Sequence, residues 1–308
     1  MGTHVVIGTG QIGGHVARLL AADGHDVVVV TRSGTGPEGT RRVALDAASA
    51  DGLTRAAEGA DALYNCANPP YHRWPQEWPP LAAAALRAAE KTGAVLVNAG
   101  NLYAYGPVDG PMTESLPLAA TETKGRVRAR IWAEALAAHE AGRARVTEAR
   151  SSDYFGPGAT DPSLLNARFM PPLLAGRPIR VTGDPDAPHT WTYLPDAARA
   201  MITLATDPRA WGRAWHVPSP PPRSIREMAR LLAREAGAPE PRVSRIPRPA
   251  LRLAALASPL VREVLAVSYQ VDRPFVADSS AFTGTFGQEP APLGEMLTET
   301  VAWWRSRV

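Results

Sequence analysis

A doubly wound parallel α/β sheet with a smaller α/β lobe at its C-terminal end is the fold class this sequence predicts, on three observations. Strand-like and helix-like segments alternate through the first half of the 308 residues. A glycine-rich turn joins the first strand to the first helix with no spacer. From Ser152 onward prolines multiply and the strands shorten. Strands that alternate with helices must pair in parallel through crossovers, which is the doubly wound plan.

His4 to Ile7 reads as a short buried strand, and Gly8-Thr9-Gly10-Gln11-Ile12-Gly13 follows it directly. Ile12, Val16, Leu19 and Leu20 then recur at helical spacing until Asp23-Gly24 stops the helix. Asp26 to Thr31 is a second strand. A strand, G-x-G-x-x-G, a helix and a parallel strand make the dinucleotide-binding fingerprint of a Rossmann-type sheet. Gly8 permits the tight turn, a side chain at Gly10 would block the pyrophosphate, and Gly13 lets helix and strand pack closely. The phosphates would meet the free N–H groups of the helix together with Gln11 and Ile12.

A glycine-rich loop, 32–39, precedes a third strand over 42–45, and Ser49 or Asp51 caps a helix to Glu58. Ala62 to Cys66 is a fourth strand. Residues 68–80 hold five prolines and two tryptophans, which predicts no regular element there. A helix over 81–91, a fifth strand over 94–98, a helix from about Thr121 to His139 and a sixth strand over 146–150 complete the alternation. Beyond Ser152, short strands are predicted at 179–181, 191–193, 215–217 and 243–246, with helices at 195–206, 224–236 and 293–307. The expected division is a dinucleotide-binding domain over 1–151 and a substrate-binding lobe over 152–308, some of whose elements return to the first sheet.

Composition bounds the function. Hydrophobic content of 45% and charged content of 20% describe an ordinary globular chain. The net charge of +3 and the absence of a basic helix or lysine run argue against nucleic acid. Only Lys91 and Lys124 are lysines among 33 basic residues. The single cysteine, Cys66, excludes an intrachain disulfide. The N-terminus enters a strand directly and no apolar run is long enough for a bilayer, so a cytoplasmic location without membrane contact is expected. The seven histidines never fall at ligand spacing on one helix, so no metal site is expected. A G-x-S-x-G nucleophile elbow is absent.

Four further segments fall in order: 61–67 (Asp-Ala-Leu-Tyr-Asn-Cys-Ala), 102–107 (Leu-Tyr-Ala-Tyr-Gly-Pro), 150–158 (Arg-Ser-Ser-Asp-Tyr-Phe-Gly-Pro-Gly) and 192–198 (Thr-Tyr-Leu-Pro-Asp-Ala-Ala). Together with the fingerprint they resemble the extended short-chain dehydrogenase/reductases, the NAD-dependent epimerase/dehydratase family, to about Val217. The resemblance implies a nicotinamide cofactor and a substrate cleft between lobes. Cys66 and Ala67 would then border the cofactor, and Asp46, followed by Ala47, would stand where the family bonds the adenine amino group.

Three departures matter. Ile7 replaces the first glycine of the usual G-x-x-G-x-x-G. Asn101 stands where the catalytic serine is expected. No tyrosine occurs between Tyr105 and Tyr154, so the family's Tyr-x-x-x-Lys pair is missing. The best match puts Lys124 at the tyrosine position and Arg128 at the lysine position; the alternative register puts Ala120 and Lys124 there.

A lysine in the tyrosine's place could protonate an alkoxide if burial or neighbouring cations lowered its pKa. It could equally be a solvated first-turn residue. Arg128 could bond ribose hydroxyls but cannot lose a proton near neutrality. Asn101 could donate an amide N–H to a substrate oxygen. Tyr103 and Tyr105, at the C-terminal end of the fifth strand, could supply the missing phenol or simply pack. At the end of the second strand stand Thr31, Arg32 and Ser33 with no acid, which suits the 2′-phosphate of NADP, although NAD remains open. Tyr71, His72 and Trp74, with Asp153, Tyr154, His189 and Trp191 from the second lobe, are expected to wall the substrate pocket.

The leading expectation is an NADP-preferring oxidoreductase or epimerase/dehydratase-like enzyme on a small or medium metabolite. The alternative is an NADP-binding redox sensor or partner protein without turnover. A strict nucleotide-sugar epimerase ranks behind both, since reversible oxidation of a sugar hydroxyl wants the tyrosine base. The expected partner is a small-molecule substrate; a homodimer is allowed for.

Overall fold

The structure, a computed structural model, describes residues 1–161 and 163–307, apart from the side chain of residue 260. The strands are β1 Thr3–Ile7, β2 Asp26–Thr31, β3 Arg41–Ala44, β4 Ala62–Asn65, β5 Val95–Asn101, β6 Arg145–Ser151, β7 Asp153–Phe155, β8 Ile179–Val181, β9 Trp191–Tyr193, β10 Arg213–His216 and β11 Val243–Arg245. The helices are α1 Gly13–Ala22, α2 Ala50–Ala56, α3 Trp74–Thr92, α4 Thr123–Glu140, α5 Met170–Leu174, α6 Leu194–Thr206, α7 Ile225–Glu235, α8 Arg248–Ala257, α9 Pro259–Ala266, α10 Tyr269–Asp272, α11 Ser280–Phe286 and α12 Leu293–Arg305.

Seven strands form one sheet in the order β10-β6-β5-β4-β1-β2-β3, and every pairing in it is parallel. The Rossmann-type, doubly wound expectation holds. Strand order reverses between β1 and β4, and ligands of open α/β sheets gather at the carboxyl ends there. Val5, Val6, Ile7 and Val27 to Val30 are buried on both faces, as central parallel strands require. Each such side chain contributes about 1.5–3 kcal/mol relative to exposure. Helices α1 and α6 cover one face, and α2, α3 and α4 the other. Strand β10, from the second half of the chain, closes the β6 edge. Helix α11 packs Phe282 into the core on the α1 and α6 side, while β8, β9, β11, α5, α7 and α12 build a separate core around Phe155, Phe169, Trp191, Met228 and Trp304. No helix among the described residues is long and apolar enough to cross a membrane.

One expectation fails here. Residues 68–80 are not irregular: a 3-10 turn spans Tyr71–Arg73 and α3 begins at Trp74, with Pro79 and Pro80 inside it. Pro75 lies in the first turn, where its missing N–H would have had no intrahelical partner. Trp74 and Trp78, one turn apart, are buried and hold the proline-rich turns against Ile131 of α4. Helices α8 to α11 escaped the sequence reading: proline opens α8 and α9, and α10 and α11, at four and seven residues, are too short to show a period. Helix α8 buries no residue.

Candidate active site

A cleft of about 860 Å³ opens at the carboxyl ends of β1, β2, β4 and β5. Its floor at one end is the glycine turn. Gly8 has φ +82°, and a Cβ there would meet the Ala67 Cα at 2.8 Å, so only glycine fits. A Cβ at Gly13 would lie 2.0 Å from the Gly8 carbonyl oxygen. Gly13 therefore lies behind the turn and makes room for it rather than lining the cleft. Gly10 has open space where its side chain would be. No side chain caps α1, which leaves its first N–H groups for an anionic ligand.

Gly8, Gly10, Gln11, Ile12, Thr31, Arg32, Asp46, Ala47, Cys66 and Ala67 all line the cleft. Asp46 accepts a hydrogen bond from the Ala48 N–H at 3.0 Å, which fixes its carboxylate at the end of β3. Arg32 makes no ion pair among the described residues, and Ser33 and Thr35 stand beside it along the wall. Burial pushes the Cys66 thiol up to about 12, so it is no nucleophile at neutral pH.

Further along, β5 delivers Asn101 and the turn after it delivers Tyr103, both at the cleft wall. The Asn101 Oδ1 accepts from the Tyr103 N–H at 3.2 Å. Tyr71 donates to the Tyr103 hydroxyl at 2.8 Å. The Tyr103 ring stacks on Trp74, with centroids 5.9 Å apart. Burial, with Asp153 adding and Arg128 opposing, holds the Tyr103 phenol above its ordinary range. Burial does the same for Tyr71, with Tyr103 adding to it. Both phenols are therefore neutral at physiological pH.

Arg128 also reaches the cleft. Its Nη1 donates to the Ala99 carbonyl at 3.1 Å, and its guanidinium lies 4.8 Å from the Trp74 ring and 4.1 Å from the Trp78 ring. Burial lowers its pKa, with Glu148 opposing. Its Nε is buried without a partner. The Gln11 Oε1 and Ser152 Oγ atoms are likewise unpartnered at the cleft. Uncapped N–H groups, a glycine cradle and these idle polar atoms suit a dinucleotide, whose phosphates and ribose hydroxyls would pair them.

Asp153 and Tyr154 come from the second half of the chain and line the cleft with Gln270 and Phe275. His189 lies behind Asp153 and holds it through a 2.8 Å bond from Nε2, its Nδ1 facing the Gln270 carbonyl at 3.2 Å. Burial pushes Tyr154 up to about 12.

Six expected site residues lie outside the cleft wall: Gly13 and His189, placed above, and Lys124, Tyr105, Trp191 and His72. Lys124 is not a solvated first-turn residue: it is 1% exposed, its ammonium is ion-paired with Glu263 of α9, and it lies over the Tyr71 ring, 4.5 Å from the centroid. The amine is thus spent on α9 and separated from the cleft by Tyr71. Tyr105 is buried beneath the sheet edge, accepting from the Arg150 Nη1 at 2.6 Å and bonded to the His216 Nε2 at 2.8 Å. Trp191 belongs to the core of the second lobe and donates to the Arg223 carbonyl at 2.8 Å. His72 is exposed on the 3-10 turn. Gln270 and Phe275 were missed, because the segment that carries them has no motif; only its proximity in space brings it to the site.

The profile of the NAD dependent epimerase/dehydratase family matches residues 5–217. No curated protein matches the sequence. Solved structures are similar in fold at low identity. A dTDP-glucose 4,6-dehydratase from Bacillus anthracis, in complex with NAD, superposes with a TM-score of 0.80 at 16% identity, covering 100% of this chain and 97% of that one. A UDP-glucose 4-epimerase from Thermotoga maritima, with UDP-glucose, gives 0.80 at 18%, covering 99% of each chain. A UDP-N-acetylglucosamine 4-epimerase from Methanobrevibacter ruminantium gives 0.81 at 18%, covering 100% and 99%. With the parallel sheet, the glycine cradle and more than half its length matched, the chain belongs to the NAD dependent epimerase/dehydratase family.

Proposed function

We propose that this protein is a dinucleotide-dependent oxidoreductase or epimerase/dehydratase-like enzyme in which Tyr103 takes over the proton transfer of the family's missing tyrosine. The observation that carries this reading is the Tyr71–Tyr103 bond at the cleft wall. Because Tyr71 donates to Tyr103, the Tyr103 proton is free for an oxygen in the cleft.

A reduced nicotinamide, when bound, supplies the hydride that turns a carbonyl carbon into an alcohol carbon. The electron pair of the C=O bond then moves to oxygen, and that oxygen takes the Tyr103 proton. The Tyr103 oxygen then regains a proton from solvent entering the cleft, and until it does the Tyr71 hydroxyl, donating across 2.8 Å, stabilises its negative charge. Burial keeps the Tyr103 phenol protonated at neutral pH, so it carries the proton that reduction of a carbonyl requires. Arg128 binds ribose hydroxyls through its idle Nε and, as a fixed cation, steadies charge developing on the substrate oxygen. Asn101 orients the turn that carries Tyr103.

NADP is the preferred dinucleotide on this reading. Arg32 lines the cleft at the end of β2 with no carboxylate at the strand end to repel a 2′-phosphate. The structural neighbours named above include one in complex with NAD, so NAD is the competing choice. A second reading, binding without turnover by a redox sensor or partner protein, draws on the Lys124 amine being held by Glu263. The two separate on one experiment: the absorbance of reduced dinucleotide is followed with the protein and a panel of carbonyl compounds. Consumption with at least one carbonyl supports the enzyme; tight binding with no consumption across the panel supports the sensor.

A further inference from the structure

Charge is distributed unevenly along the cleft. Among the described residues that line it, the only cations are Arg32 and Arg128. Arg32 stands at the end of β2, beside the adenosine side of the glycine cradle, and Arg128 lies stacked between Trp74 and Trp78. Beyond Tyr103 the wall is made by Tyr71, Trp74, Asp153, Gln270 and Phe275. Of the cations off the cleft wall, Lys124 is ion-paired with Glu263, Arg73 meets Glu77 at 3.2 Å on the surface, and Arg273 meets Asp109 at 3.3 Å with its Nη2 buried and unpartnered.

A nucleotide diphospho-sugar would bring its pyrophosphate into this end. Desolvating such a dianion requires cationic or N–H donors in contact, and the carboxylate of Asp153, fixed by His189, would repel it. Aromatic faces favour the opposite kind of ligand, since they reward an apolar or aromatic body with burial and offset stacking. Size agrees. Pockets for one ligand commonly run about 300–1,000 Å³, and here about 860 Å³ must take the dinucleotide and the substrate together.

We propose that the substrate is a compact ketone, or the corresponding secondary alcohol, with an aromatic or apolar body and no phosphate or carboxylate group. This rests on the oxidoreductase reading for its carbonyl, which Tyr103 would protonate as hydride reaches the carbonyl carbon from the reduced dinucleotide. The body of the ketone lies along the half-buried Tyr71 and Tyr103, which Trp74 backs through the stacked Tyr103 ring, and Asp153 selects against anions.

The test reads binding rather than turnover. Benzylacetone, its ring-carboxylated analogue and UDP-glucose are titrated calorimetrically into the protein, with and without NADPH. Benzylacetone is expected to bind, the carboxylated analogue at least tenfold more weakly, and UDP-glucose not at all at the same concentrations. Asp153→Asn is expected to narrow the gap between benzylacetone and its carboxylated analogue, whatever its effect on the affinity for benzylacetone itself, a change of selectivity that a purely structural Asp153 would not produce. UDP-glucose binding as tightly as benzylacetone, or no heat from benzylacetone, overturns the proposal. Failure of hydride transfer would instead count against the oxidoreductase reading, because these heats do not depend on turnover.

Discussion

Tyr71 donates its hydroxyl proton to the hydroxyl of Tyr103 across 2.8 Å, while the ammonium of Lys124 lies 4.5 Å above the Tyr71 ring. The three residues come from the start of the α3 region, the turn after β5 and the first turn of α4. Tyr103 and Tyr71 both line the cleft, and Lys124 lies behind the Tyr71 ring, off the cleft wall. The amine thus acts on Tyr71 and α9, holding the wall in place.

Lys124→Met is accordingly expected to leave turnover within about tenfold of the parent, below the usual ~10²-fold cost of removing a general acid. It should lower stability by about 1–2 kcal/mol through loss of the charged hydrogen bond to Glu263, a residue exposed enough to be rehydrated. Steady-state rates and a denaturant titration check both. A 10²-fold loss of turnover with unchanged dinucleotide affinity would return the proton to Lys124.

Arg32→Ala is expected to weaken NADP about 10- to 100-fold, the worth of charge-assisted hydrogen bonds to a 2′-phosphate, and to leave NAD unchanged. Calorimetric titration of both dinucleotides measures it. Equal, unaffected affinities for NAD and NADP would remove the preference.

Acid should destabilise the fold through His216. Its Nδ1 faces the Asp278 carbonyl at 2.8 Å and its Nε2 faces Tyr105, and burial pushes its pKa below the ordinary 6.5. A lowered histidine takes up its proton more readily when unfolded. Stability is thus full above the unfolded pKa and falls as pH drops below it, by at most about 1.4 kcal/mol per pH unit for one such group. Melting temperature should fall between about pH 7 and pH 5.5, and the fall should be shallower in His216→Gln. Glu122 and Asp196, raised by burial, act in the opposite sense at lower pH, so the comparison belongs above their range. An equal fall in the variant would rule His216 out.

The dinucleotide half was legible because its signals are local. Gly8, Gly10 and Gly13 are spaced as a fingerprint within one β-α-β unit, even though the neighbour that a Cβ at Gly8 would meet is Ala67, and Val27 to Val30 declare a buried strand by themselves. Tyr103 was legible as a candidate because the strand end places it. What could not be read depends on contacts between distant segments. Lys124 finds Glu263 across 139 positions, and Tyr105 turns to His216 across 111; periodicity carries neither fact. The start of α3 was hidden by Pro75, Pro79 and Pro80, whose cost the buried Trp74 and Trp78 offset. Trp191 has the composition of a pocket residue and the position of a core one, and only packing distinguishes them.

The central claim is that Tyr103 donates the proton during dinucleotide-dependent reduction. Tyr103→Phe keeps the ring that stacks on Trp74 and removes only the hydroxyl, so the measurement is its turnover with reduced dinucleotide and a carbonyl substrate, beside its dinucleotide affinity. The expected result is a loss of about 10²-fold or more in turnover with affinity nearly unchanged. Turnover within a few-fold of the parent would contradict the claim.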